Sequence, residues 1–155
     1  MSVLCVAAHP DDEVLGAGGT LARHATDGDD VHVCILSDGV TSRYDNPENA
    51  TEEIEQRRDR ARQACETLGA TVSLHGFPDN QFDTVPLLDI VQTIEEEIAT
   101  HEPQVIYTHH YGDLNVDHEL TSRAVTTAAR PLPDTTIDEI LLYSTLSSTE
   151  WNRPT

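Results

Sequence analysis

The chain contains no lysine. Its nine basic residues are all arginine, they face 28 acidic residues, and the net charge is −19 over 155 residues. A phosphate-binding surface needs clustered positive charge, so this balance argues against nucleic acid as a partner and against an anionic membrane surface. The acidic residues are spread along the chain rather than gathered in a tail, which points to a folded protein rather than a disordered one. Acidity without lysine fits a protein adapted to high salt, with an ordinary acidic protein as the alternative. In such a medium the Debye length falls to about 3 Å at 1 M salt and self-repulsion is screened. Cysteine is scarce: Cys5, Cys34 and Cys65 are far apart and form no CxxC pair. That excludes a thiolate metal knuckle or a redox pair, and reads as buried reduced thiols. No stretch approaches the ~18 apolar residues of a membrane span, and no basic, apolar leader opens the chain. The expected location is the cytoplasm. Repeats, linkers and low-complexity segments are also absent, so residues 1–155 read as one domain.

Strand and helix patterns alternate throughout. Apolar runs at 2–8, 31–36, 71–75, 104–108 and 137–146 read as strands. Helical periodicity covers about 14–26, 51–68, 86–100 and 118–129. Asn49 followed by Glu52 resembles a capping box before the second helix, and Gly69 ends it. The alternation predicts an α/β, Rossmann-like three-layer sandwich with a mostly parallel sheet in the order 3-2-1-4-5.

Two strand ends carry metal-ligand chemistry. The first strand runs into His9-Pro10-Asp11-Asp12-Glu13, and the fourth into His109-His110 and, past a polar loop, Asn115, Asp117 and His118. In the expected order these ends are neighbours at the switch point where open α/β sheets keep their ligands. His9, Asp11 and Asp12 would then face His109, His110 and His118. Two imidazoles and a carboxylate with an open fourth position form a catalytic zinc set. A carboxylate left unligated can take a proton from water. Gly16-Ala17-Gly18-Gly19, with Asp38 about 20 residues on, imitates a dinucleotide fingerprint. The third glycine of that frame would fall at Leu21, and pyrophosphate would have to pass three carboxylates. A non-hydrolytic, nucleotide-binding module is therefore the rival expectation.

His9-Pro-Asp-Asp-Glu13, Leu15-Gly-Ala-Gly-Gly-Thr20, Ser37-Asp-Gly39, Gly76-Phe-Pro-Asp-Asn80 and Gly112-Asp-Leu-Asn-Val-Asp-His118 resemble the LmbE/PIG-L family of zinc-dependent N-acetylglucosaminyl deacetylases. The resemblance implies Zn²⁺ held by His9, Asp12 and His118, with Asp11 as general base. It implies that Asp117 orients a neighbouring side chain and that Asp79 lines the pocket. Arg57 or Arg58 would help bind substrate. Many members carry a histidine where this chain has Asn115, so His109, His110 or Asn115 is expected to assist the oxyanion. Arg43 and Tyr44, in the loop after the second strand, are candidate substrate contacts. Glu13 reads as support rather than a ligand. Family members usually continue beyond a strand like 137–146, so their C-terminal part is expected to be missing from a chain that stops at Thr155. The implied reaction is removal of an N-acetyl group from a GlcNAc-type sugar or glycoconjugate, with an amidase acting on a thiol–sugar conjugate as the alternative. The partner is a small molecule or glycoconjugate, and homo-oligomer formation stays open.

Overall fold

A computed structural model describes residues 1–46 and 50–146. Five strands, β1 (Ser2–Ala7), β2 (Asp30–Ser37), β3 (Thr71–Phe77), β4 (Val105–His109) and β5 (Glu139–Tyr143), form one sheet in the order β3-β2-β1-β4-β5. All four pairings are parallel. Four helices cover the sheet: α1 (Asp12–Thr26), α2 (Thr51–Leu68), α3 (Leu87–His101) and α4 (Val116–Ala128). The expected architecture and strand order are those observed.

The central strand shows why the layers form. Every residue from Val3 to Ala8 is fully buried, as a parallel strand covered on both faces must be. Successive side chains point to opposite faces. Val3, Cys5 and Ala7 join Val31, Val33 and Ile35 against Ala17 and Leu21 of α1 and Ala61 and Cys65 of α2. Leu4 and Val6 join Cys34 and Leu36 against Ile90 and Ile94 of α3 and Ala124 and Val125 of α4. All three cysteines are buried and free.

Two helices start earlier than periodicity suggests, and both starts belong to the site. Helix α1 begins at Asp12 rather than 14, because the Asp11 carbonyl already accepts the N–H groups of Val14 and Leu15. Helix α4 begins at Val116 rather than 118, because the Asn115 side chain accepts the Asp117 N–H at 2.9 Å. This is ordinary side-chain capping. Strand β5 covers only 139–143 of the expected 137–146. The expected cap at Asn49 lies outside the described residues.

The glycine patch sits inside α1, not in a loop. A Cβ on Gly16 would lie 2.1 Å from the Tyr143 ring, so this glycine lets α1 approach β5. A phosphate-cradling turn would need those glycines before the helix, which removes the basis of the dinucleotide expectation. No helix among the described residues is long and apolar enough to cross a membrane.

Candidate metal centre

The C-terminal ends of β1 and β4 are adjacent, and they bring three potential ligand atoms to one point. His9 Nδ1 lies 3.2 Å from Asp12 Oδ2, His118 Nε2 lies 3.1 Å from the same oxygen, and the two nitrogens are 3.3 Å apart. A tetrahedral ion with bonds of ~2.05 Å has edges of about 3.3 Å, so the three atoms already occupy one face of such a tetrahedron. Two imidazoles and one carboxylate could hold a metal ion here, and an open fourth position remains.

The far side of each ligand is fixed. His9 Nε2 donates to Asp117 Oδ2 at 2.8 Å, with Asp79 Oδ1 at 3.4 Å. Asp117 is itself immobilised, since it accepts the backbone N–H groups of Asn80 at 2.6 Å and Phe82 at 3.0 Å. Asp79 accepts from the Ser42 hydroxyl and backbone, which ties the 3₁₀ turn Thr41–Arg43 to the site. His118 Nδ1 lies 3.2 Å from Asp113 Oδ2. A histidine whose remote N–H meets a carboxylate is held in the tautomer and orientation that metal binding needs. Asp113 had no assigned role in the sequence, although it sits within the 112–118 block. Only the loop's path brings it beneath His118.

Electrostatics follow from this packing. Burial would raise the Asp12 carboxyl, but hydrogen bonds from His118 and His9 hold it well below the usual range. Burial opposes charge on His9, yet hydrogen bonds to Asp117 and Asp12 push its pKa up to about 10. His109 is pushed down to about 3 by burial.

Asp11 stands beside the three ligands in a left-handed backbone conformation, φ 112°. Such angles are rare outside glycine and need support from the surroundings. Here Glu13 Oε2 accepts the Asp11 N–H at 3.0 Å. Glu13 is buried, its pKa is raised to about 7 by desolvation, and its other oxygen has no hydrogen-bond partner. The Asp11 carboxyl is itself raised by partial desolvation and by the charge of Asp12. It faces a groove of about 660 Å³ walled by Glu13, Tyr44, Glu53, Arg57 and Arg60. The Arg57 guanidinium lies over Gly39, where a Cβ would come within 3.4 Å of Nη1 and 3.2 Å of the Pro10 ring. That glycine, at φ 72°, lets the end of β2 close against His9-Pro10.

The remaining expected residues are placed differently. His109 is fully buried behind the centre: its ring stacks on His118 at 3.9 Å and its Nε2 accepts the Ala8 N–H at 3.0 Å. His110 turns away, with Nδ1 accepting the Gly112 N–H and its ring stacked on Tyr111. Neither ring is presented towards the groove. Asn115 caps α4 with its oxygen and offers its amide N–H to the Asn80 side chain at 3.3 Å. Arg43 is exposed on the 3₁₀ turn and does not wall the groove. Arg58 packs on β3, with Nη2 3.4 Å from the His75 carbonyl, so of the pair it is Arg57 that lines the groove.

Comparison with known proteins follows the same lines. The family model described as "PIG-L: GlcNAc-PI de-N-acetylase" matches residues 4–129. An uncharacterized deacetylase YaiS of Escherichia coli K12 is 30% identical over 152 residues, covering 94% of this chain and 75% of that protein. A 1D-myo-inositol 2-acetamido-2-deoxy-alpha-D-glucopyranoside deacetylase of Thermomonospora curvata is 29% identical over 161 residues, covering 83% of this chain and 54% of that protein. The crystal structure of GalB, a 4-carboxy-2-hydroxymuconate hydratase of Pseudomonas putida KT2440, superposes with a TM-score of 0.72 at 26% identity, over 92% of this chain and 62% of that one.

Proposed function

The chain belongs to the PIG-L family of GlcNAc-PI de-N-acetylases, and from that membership we propose that it is a zinc-dependent N-deacetylase acting on an N-acetylated amino sugar or its glycoconjugate. The observation that carries the reading is the triangle of His9 Nδ1, Asp12 Oδ2 and His118 Nε2, with edges of 3.1–3.3 Å and Asp11 beside it. The hydratase GalB shares this architecture, so the fold alone does not set the reaction, and the sugar deacetylase relative supplies the substrate class.

A zinc ion held by these three residues would polarise the amide carbonyl and lower the pKa of water towards 7. The protein's own groups do the rest. Asp11, kept off the ligand triangle by its backbone angle, takes the proton of the attacking water and returns it to the departing amine. The raised pKa of its carboxyl suits both halves of that transfer. Asp117 and Asp113 orient the two imidazoles so that Nδ1 of His9 and Nε2 of His118 face the ion. Asn115, at the start of α4, is the available amide donor for the oxyanion once Asn80 releases it. Arg57, Tyr44 and the acidic residues of the groove meet the sugar hydroxyls. Water is confined by the buried wall of His109, Thr108 and Glu13.

The test is acetate release from a panel of N-acetylated sugars and glycoconjugates, with zinc present and after chelation. Zinc-restored release from at least one amino sugar is the expected result. A protein that binds zinc through these ligands and releases acetate from none of them refutes the reaction.

A further inference from the structure

We propose that a second divalent-cation site, separate from the centre described above, lies between the sheet and α3, built from His32, Glu97 and His101. The strand alternation that sorts the core also sorts these residues. His32 and Cys34 on β2, and Ser73 and His75 on β3, share the face that α3 covers, while Val33 and Val72 point to the other. Glu97 and His101 are one turn apart on α3 and present a carboxylate and an imidazole on the same side.

As at the first centre, two imidazole nitrogens approach one carboxylate oxygen. His32 Nε2 lies 3.2 Å from Glu97 Oε2, and His101 Nε2 lies 3.5 Å from the same oxygen. These are again close to the ~3.3 Å edges of a tetrahedral ion. The three ligand atoms all lie within 4.8 Å of one another. The second carboxylate oxygen, Oε1, is taken by His75 Nε2 at 2.9 Å, which leaves Oε2 to face the two imidazoles.

Hydrogen bonding on the far side of His32 is the independent observation. Its Nδ1 lies 2.7 Å from Thr71 Oγ1, and that hydroxyl donates onward to the Val31 carbonyl at 3.4 Å. With Nδ1–H donated to Thr71, a neutral His32 carries its lone pair on Nε2. A lone pair facing a carboxylate oxygen at 3.2 Å is repulsive unless something positive lies between them. A proton or a metal ion meets that need, and Ser73 Oγ, 3.1 Å from Nε2, meets it only in part. Two imidazoles and a carboxylate suit Zn²⁺, Ni²⁺ or Cu²⁺ rather than Mg²⁺ or Ca²⁺. The His32 and Glu97 side chains are 8% and 11% exposed, while His101 at 24% leaves a way in from solvent. Occupancy would clamp the last turn of α3 onto β2.

This site is independent of the deacetylase reading, and zinc counting separates the two. The full chain is stripped with chelator, reloaded with zinc, desalted, and its zinc per chain measured together with its deacetylase turnover. The wild type holds two zinc ions, His101→Gln holds one and keeps its turnover, and His118→Ala holds one and loses its turnover. A wild type with a single zinc that His118→Ala abolishes overturns the second site, leaves protons as what holds the cluster together, and spares the deacetylase centre. A single zinc lost in His101→Gln but kept in His118→Ala supports the second site and overturns the first. Should His101→Gln not fold, His118→Ala still decides: one retained zinc supports the proposal and none refutes it.

Discussion

Asp11 and Asp12 are neighbours in sequence, yet one backbone angle separates their surroundings. With φ at 112°, Asp11 turns its carboxylate to the groove while Asp12 is buried between two histidines. Asp11→Asn is nearly isosteric, so it should keep zinc and lower kcat by about 10²-fold or more, the usual contribution of a general base. Full turnover in a zinc-loaded variant would remove Asp11 from that role. Asp113 carries a different expectation. Asp113→Ala frees the remote nitrogen of His118, and zinc affinity should fall by roughly 10–100-fold in a chelator competition. His9 gives a pH prediction for the metal-free protein. Its folded-state pKa of about 10 stands above its ordinary value of 6.5, so its ion pairs with Asp117 and Asp12 stabilise the fold fully below about pH 6.5. That contribution is lost as pH rises through about 10. Melting temperatures of the metal-free chain should fall across that window, and His9→Gln should flatten the decline.

At the scale of elements, the site depends on how closely α1 approaches β5. Gly16 provides that approach, because a Cβ there would meet the Tyr143 ring at 2.1 Å, while Gly19 on the same helix has nothing within 4 Å. Gly16→Ala should cost about 1–3 kcal/mol in denaturant unfolding, the usual price of overpacking. Gly19→Ala should instead stabilise by up to about 1 kcal/mol through helix propensity. Equal effects at both positions would mean that the contact with Tyr143 is not what requires glycine. The two variants also separate the functions of glycines that look alike in the sequence. One makes room for an aromatic ring, and the other is exposed on the helix.

The whole molecule carries a charge of −19, so at low ionic strength its folded state works against its own field. Raising NaCl from about 0.1 M to 1 M shortens the Debye length from about 10 Å to 3 Å, and the melting temperature should rise with it. A melting temperature independent of salt would dissociate the acidic composition from halophilic behaviour. Most of that charge lies away from the metal centre, which holds only a few of the 28 acidic residues. There the acidic residues Asp12, Asp79, Asp113 and Asp117 are all hydrogen-bonded and nearly buried.

The order of layers and strands was legible in the chain itself, because a parallel sheet leaves a plain trace: apolar runs buried on both faces, alternating with amphipathic helices. The residue types of the metal triangle were legible too. His9 and Asp12 end one strand and His118 follows another, and a parallel sheet keeps its strand ends together. What the sequence could not decide was the direction in which each side chain points. His109, His110 and His118 are equal candidates as letters. Packing puts His109 behind the centre and turns His110 towards Tyr111, which leaves His118 beside His9. The second cluster was equally hidden, since His32, His75 and His101 each have an unremarkable local setting. Glu97 becomes their common partner only because α3 lies across β2 and β3. Periodicity is a local property written residue by residue. The convergence of ligand atoms within 3.3 Å is a long-range property, set by helices and strands distant in sequence that pack against one another.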